Sequence, residues 1–248
     1  MSTPTDWTGA DIVFLDCDST MSRIEGIDEL ALRAGIDVAA LTSRAMSGEL
    51  PLHQVYRERL KLIQPGAEDF AWLAALYAET ALPGVAETIA AIQGLGIRVC
   101  VISGGLLPSV QPFAVAMGVS SEDVFAVPYP LESDHPLEIA CAHPLAANGG
   151  KPKVIAEVCA RLNIKRSRRL LVGDGASDLE ASSELGLFAG FGAVEVRPQV
   201  ESEAAVFLRG PGLWAVALHA AGSGRLQELG ECSPMVYEYA VSEAQTIL

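Results

Sequence analysis

The sequence predicts an α/β fold, a doubly wound parallel sheet with a small helical domain inserted into it, and three observations carry that prediction. Short aliphatic runs, Ile12-Val13-Phe14-Leu15, Val99-Cys100-Val101-Ile102 and Leu170-Leu171-Val172, alternate with stretches of helical period. Near-continuous apolar runs of this length suit strands buried on both faces of a parallel sheet. Each run ends in a polar turn rich in glycine or aspartate, and residues 21–82 are helical in pattern with no strand signal among them. A helical module is therefore expected to interrupt the α/β core just after its first strand.

Taken in order, the first strand ends at Asp16-Cys17-Asp18-Ser19-Thr20, after which Ile24, Ile27, Leu30, Ala31 and Ala34 fall on one helix face. Helical stretches are expected near Ser22 to Ala34, Asp37 to Met46, Leu52 to Ile63 and Glu68 to Glu79, and Pro83-Gly84 reads as the hinge back to the core. Helix Val85 to Gln93, strand Ile97 to Ile102, helix Pro108 to Met117 and a strand near Val124 follow. Pro128 to Pro144 is rich in proline and polar turn residues, and prolines that cannot donate ladder bonds favour an edge or loop. Helix Lys153 to Leu162, strand Arg169 to Val172, helix Leu179 to Leu185 and short strands near Leu187 and Val206 complete the alternation, which right-handed crossovers turn into a parallel sheet. The division is thus residues 1–20 and 83–222 as core, 21–82 as helical cap, and 223–248 as a tail with weak periodicity and no motif.

Composition narrows the partners. Thirty-one acids against 17 Lys and Arg give a net charge of −14, which argues against nucleic acid, whose phosphates require a cationic surface. Five cysteines, with no Cys-x-x-Cys and no clustered histidines, fit reduced thiols better than a disulfide frame or a zinc site. With no signal-like N-terminus and no apolar run of about 18 residues, neither membrane insertion nor secretion is expected, and the cytoplasm is the expected compartment. The residues after Gly222 and the exposed cap helices are the candidate contact surfaces for a homodimer.

Chemistry concentrates at the ends of the strands. Alternate side chains of an extended segment point the same way, so Asp16 and Asp18 face one reacting atom, one fit to attack and the other to handle protons. Ser103-Gly104-Gly105 offers a hydroxyl and backbone amides suited to phosphate oxygens. Gly150-Lys151 supplies a cation, one of only four lysines, and Gly173-Asp174-Gly175-Ala176-Ser177-Asp178 adds two carboxylates. In open α/β sheets these positions converge on one crevice. Carboxylates meeting a phosphomonoester require a metal, and an all-oxygen ligand set suits Mg²⁺.

This order of motifs resembles the haloacid dehalogenase superfamily of phosphatases. Ser22 through Leu30, Arg44-Ala45-Met46, Arg59 through Pro65, Gly149-Gly150-Lys151 and Gly190-Phe191-Gly192 resemble, more narrowly, the phosphoserine phosphatases. The resemblance implies Mg²⁺-dependent hydrolysis of L-phosphoserine to L-serine and phosphate, the last step of serine biosynthesis. It implies Asp16 as nucleophile forming an aspartyl-phosphate, Asp18 as general acid and base, and Ser103, Gly104 and Lys151 on the phosphoryl oxygens. It also implies Asp16, Asp174 and the Asp18 carbonyl as metal ligands, oriented by Ser177 and Asp178. Glu25 would meet the substrate ammonium and Arg59 its carboxylate, with Met46 as an apolar wall or a core residue.

Rival readings accompany these roles. Ser22-x-x-Glu25 has the spacing of a capping box, and Arg59 that of an amphipathic surface helix; spacing alone favours both, and the resemblance favours recognition. Leu52 stands where the family usually carries Phe, Cys17 where it often has Val, and residues 127–145, with His135 and His143, lack the usual Asn-Arg start and Asn-Gly turn of its flap hairpin. Another small phosphomonoester, transfer to an acceptor alcohol, and a binding protein without catalysis are the competing functions.

Overall fold

The computed structural model describes residues 7–37 and 52–246, and its centre is a six-stranded parallel sheet. The strands are β1 (Ile12–Leu15), β2 (Arg98–Leu106), β3 (Val124–Val127), β4 (Arg169–Gly173), β5 (Leu187–Phe191) and β6 (Val206–Leu208), in the spatial order β3-β2-β1-β4-β5-β6. All four residues of β1 are fully buried, and Phe14 pairs with Cys100 on one side and Leu171 on the other. The chain winds outward from β1 to β3, then returns to β4 beside β1. Winding therefore reverses between β1 and β4, and at such a reversal the carboxyl ends of the strands leave a crevice. Asp16 follows β1 and Asp174 follows β4, so both stand at its mouth.

The long excursion between β1 and β2 begins and ends as a paired neck. Ser22 and Ala81 form an antiparallel bridge, Leu82 N donates to Met21 O at 2.9 Å and Arg23 N to Thr80 O at 3.1 Å. The described helices of the excursion are Gly26–Arg33, Leu52–Ile63 and Ala67–Glu79. The first starts four residues later than its apolar spacing predicts, because residues 19–25 are used in a turn: the amides of Thr20, Met21 and Ser22 all donate to Cys17 O, and Ser19 takes a left-handed φ of 50°. The expected helix Asp37 to Met46, with Met46 itself, lies outside the described residues. Pro83-Gly84, the expected hinge, is held against the core: Leu213 N donates to Pro83 O at 2.9 Å. Gly84 has a φ of 79°, and a side chain there would collide with the Trp214 indole, so glycine is required on both counts.

Three segments differ from their predicted form, each for a local reason. Strand β2 continues through Ser103-Gly104-Gly105 with a register shift against β3, since Ile102 pairs with Phe125 and Leu106 with Val127. The extra residues bulge and re-aim the glycines. The proline-rich stretch expected as edge or loop instead contains a helix, Pro136–Ala142, and a 3₁₀ turn, Pro144–Ala146. In each a proline occupies the start, where its fixed φ suits a helix and its missing N–H goes unneeded. The helix expected over Leu179 to Leu185 resolves into a short helix, Ala176–Leu179, and a 3₁₀ stretch, Glu180–Glu184. There Ser182 Oγ donates back to Leu179 O at 2.6 Å and competes with helix propagation.

Residues beyond 222, weakly periodic in sequence, form helices Leu226–Cys232 and Pro234–Thr246 that pack on Ala215–Ala221 and Val85–Gly94. Their anchor is a buried acid: Glu243 accepts from Gly212 N at 2.8 Å and Ala215 N at 2.9 Å. Trp214 stacks on Tyr239 with centroids 4.8 Å apart. Among the described residues no helix is long and apolar enough to cross a membrane.

Two outcomes follow. Glu243→Ala strands two buried amides and should cost about 2–4 kcal/mol in urea unfolding; a loss within 0.5 kcal/mol, the ordinary range for a surface change, would show that the anchor is dispensable. Burial lowers the His219 imidazole from its ordinary value of 6.5 to about 4. The unfolded chain then binds the extra proton between those values, so stability is full above pH 6.5 and falls with acidification toward pH 4, at up to about 1.4 kcal/mol per pH unit. His219→Gln should flatten that slope in unfolding measured across the window.

Candidate active site

The site forms where four strand ends and helix starts meet. Asp16 N donates to Val172 O at 3.0 Å, extending the β1–β4 pairing by one step and fixing where Asp16 stands. Helix Gly150–Leu162 brings Lys151 from the other side. Lys151 is only 5% exposed, and its Nζ lies 2.9 Å from Asp16 Oδ1 and 2.5 Å from Asp178 Oδ1. Asp178 also accepts from Gly175 N at 3.0 Å, so both its oxygens are engaged and it orients Lys151. Oxygens of Asp16, Asp174 and Asp178 all fall within 4.8 Å of one another.

A cavity of about 230 Å³ opens on these groups, lined by Asp16, Asp18, Lys151 and Asp174, by Gly104, Gly105, Gly175 and Ser177, and by Glu25 and Arg59. The sequence-predicted residues that lie in described segments thus converge here, except that Asp178 sits behind Lys151 and Ser103 behind the glycines. Ser103 is fully buried and its Oγ accepts from Gly105 N at 2.9 Å, so it shapes the glycine loop from behind and is not part of the wall. The capping box does not form. Ser22 Oγ pairs with Thr80 Oγ1 at 2.7 Å, while Glu25 accepts from Ser19 Oγ at 2.8 Å and faces the cavity. Arg59 lies 3.2 Å from Asp28 Oδ1 on the same wall.

Several participants escape sequence reasoning. Arg197 Nε donates to Asp174 Oδ2 at 2.9 Å, and its other nitrogen stands 3.6 Å from Glu25 and 2.9 Å from Glu195. Nothing in Val196-Arg197-Pro198 marks it as functional; only the approach of the segment after β5 to the crevice does. Thr20 Oγ1 donates to Asp174 Oδ1 at 3.3 Å. Tyr56 donates to Gly104 O at 3.0 Å and Tyr77 to Asp18 Oδ1 at 2.6 Å. Both tyrosines lie among the apolar positions of their helices and read as core in sequence, but a buried phenol needs a partner.

Electrostatics follow from crowding. Burial pushes Asp16 up to about 7, with the Asp178 charge adding to it and Lys151 opposing. Burial, then Asp16, raises Asp18 to about 6 and Asp174 to about 6. Glu25 rises to about 8 through burial and the nearby Asp18. Burial draws the Lys151 ammonium down, but Asp16 and Asp178 together carry it above its ordinary value. Asp16 and Asp178 thus pair with Lys151, Glu25 and Asp174 with the half-exposed Arg197, and Asp18 feels Lys151 only through space. Acidic oxygens this close, with no nitrogen or sulfur ligand among them, fit a hard divalent cation. Asp16, Asp174 and Asp178 are the described residues that could hold one.

The haloacid dehalogenase-like hydrolase model matches residues 10–186, which includes each of these strand-end motifs. The chain belongs to the haloacid dehalogenase-like hydrolase family. Within this hydrolase family, the chain is similar to the phosphoserine phosphatases of Rattus norvegicus and Homo sapiens, 36% identical to each over 79% of this chain and 87% of theirs. A substrate-bound phosphoserine phosphatase structure superposes with a TM-score of 0.68 at 25% identity, covering 82% of this chain and 94% of the other.

A direct check is thermal. A divalent cation at about a hundredfold over its Kd should raise the melting midpoint by roughly 5–10 °C, and Asp174→Asn should remove that rise. An undiminished rise in the variant would place the cation elsewhere.

Proposed function

We propose that the chain hydrolyses L-phosphoserine to L-serine and phosphate in a Mg²⁺-dependent reaction through an aspartyl-phosphate on Asp16. The observation that carries this reading is one cavity whose wall joins paired aspartates and a buried lysine to an acid and an arginine set for an amino-acid tail. Phosphoserine bears three charged groups, and the wall offers a partner for each. The likeness to phosphoserine phosphatases supports the same substrate.

On this reading Lys151 and the Gly104-Gly105 backbone hold the phosphoryl oxygens, and Ser103 keeps the loop in shape through the Gly105 amide. Arg59 takes the substrate carboxylate and Glu25 its ammonium. Asp16, Asp174 and the Asp18 carbonyl would hold Mg²⁺, which when bound would neutralise charge so that a carboxylate can approach a phosphate. Asp16 attacks phosphorus, the bond from phosphorus to the serine oxygen breaks, and that oxygen takes the proton from Asp18. Asp18 then receives a proton from the attacking water as the aspartyl-phosphate is cleaved, which returns Asp16 and releases phosphate. A carboxyl raised to about 6 is well matched to giving and taking a proton near neutrality. Residues 21–82 serve as a cap over the core of 1–20 and 83–222, admitting substrate and excluding water. The five thiols are free, and we assign the reaction to the cytoplasm.

Phosphate release from L-phosphoserine and from an uncharged-tail phosphomonoester tests this. Asp16→Asn should abolish turnover of both. Arg59→Ala should raise KM for phosphoserine by roughly ten- to a hundredfold, the loss of a charged hydrogen bond, with little change for the plain ester. Equal wild-type activity on the two esters would remove the amino-acid assignment and leave the phosphatase chemistry.

A further inference from the structure

Asp18 is gripped from outside the core. Tyr77, near the end of helix Ala67–Glu79, has no exposed surface, and its hydroxyl donates to Asp18 Oδ1 at 2.6 Å. The Gly26 amide donates to the same oxygen at 2.8 Å. A side chain at residue 26 would collide with the Tyr77 hydroxyl, so the glycine admits the contact. Asp18 lines the cavity, and with both donors on Oδ1 its other oxygen is the one turned to that space.

We propose that Tyr77 is a positioning residue for protonation of the leaving group, an inference that rests on the proton-carrier role given to Asp18 above. An oxygen accepting two hydrogen bonds is a poor seat for a proton, so the proton is held on Oδ2. Two donors also stop the carboxyl from turning about its loosely restricted terminal torsion. When the bond from phosphorus to the departing oxygen breaks, its electron pair stays on that oxygen, which takes the proton from Oδ2 and leaves Asp18 as carboxylate. The helical segment that carries Tyr77 thereby sets the acid whenever it is packed on the core.

The role is separable from packing by leaving group. An alkoxide such as that of serine leaves poorly without a proton, whereas 4-nitrophenolate leaves without one, and kcat/KM reports steps through the first phosphoryl transfer. Tyr77→Phe keeps the ring that stacks on Phe113, centroids 5.4 Å apart. It should lower kcat/KM for phosphoserine by about ten- to a hundredfold, the worth of a hydrogen bond to a charged group, and that for 4-nitrophenyl phosphate by less than about threefold. Gly26→Ala, which keeps the phenol but displaces its hydroxyl, should give the same asymmetry and decides the matter if the first variant does not fold by circular dichroism. Equal losses on both esters, or none on either, overturn the proposal. If wild type leaves phosphoserine untouched, the functional reading falls by itself, and glycerol 3-phosphate takes its place as the alkyl ester in the same comparison.

Discussion

The mutual repulsion of buried carboxylates at the β1–β4 reversal is the constraint on which the rest depends. Removing an acid from water is costly unless it is paired, and here Asp16, Asp174 and Asp178 crowd one another around a single buried ammonium. The scaffold answers with rigidity. Asp16 is tied to β4 through its own amide, Asp178 to Gly175 and Lys151, and Asp174 to Thr20 and Arg197. A fully apolar β1 and its neighbours supply the burial that holds these groups in place despite their charge. Burial, with the Asp178 charge adding to it, lifts Asp16 to about 7, so added positive charge at the site favours its ionised form. On the proposed reading cation, phosphate and Asp16 are thus linked by electrostatics before any contact specific to the substrate is made.

The inserted helices are hydrogen-bonded to residues of the cavity as well as lining it. Tyr56 reaches the carbonyl of Gly104 in the glycine loop, and Tyr77 and Gly26 reach Asp18. Movement of this segment would therefore alter the glycine loop and Asp18 together. The paired neck at Ser22 and Ala81, and the clamp on Pro83 and Gly84 by Leu213 and Trp214, place the rigid attachment close to the site. The C-terminal helix secures that clamp, since Glu243 holds the amides on either side of Leu213 and Trp214.

Much of this is legible in sequence because strand ends and catalytic motifs coincide. An apolar run stops where a charged side chain must face the crevice, so Asp16 and Asp174 each mark both a strand end and a cavity position, whereas Ser103 lies within β2 and behind the wall. Arg197 and the two tyrosines are not legible in that way. Their roles come from packing between elements distant in sequence, 59 residues apart for Tyr77 and Asp18 and 23 for Arg197 and Asp174. The turn after β1 misleads for a related reason. Ser22-x-x-Glu25 has the spacing of a cap, but three amides converging on Cys17 O consume the residues a cap would need. Local propensity gave way to the tertiary demand that Glu25 face the cavity.

Recognition and chemistry also compete for the same charges. Glu25 is held by Ser19 and stands near Arg197, while Arg59 stands beside Asp28. On the proposed reading an incoming ammonium would share Glu25 with Arg197, and an incoming carboxylate would share Arg59 with Asp28. Because Arg197 also grips Asp174, any shift it makes toward or away from Glu25 is felt where the cation would be held. On the proposed reading a substrate lacking both tail charges leaves both internal pairs undisturbed, so selectivity would rest on this exchange of partners.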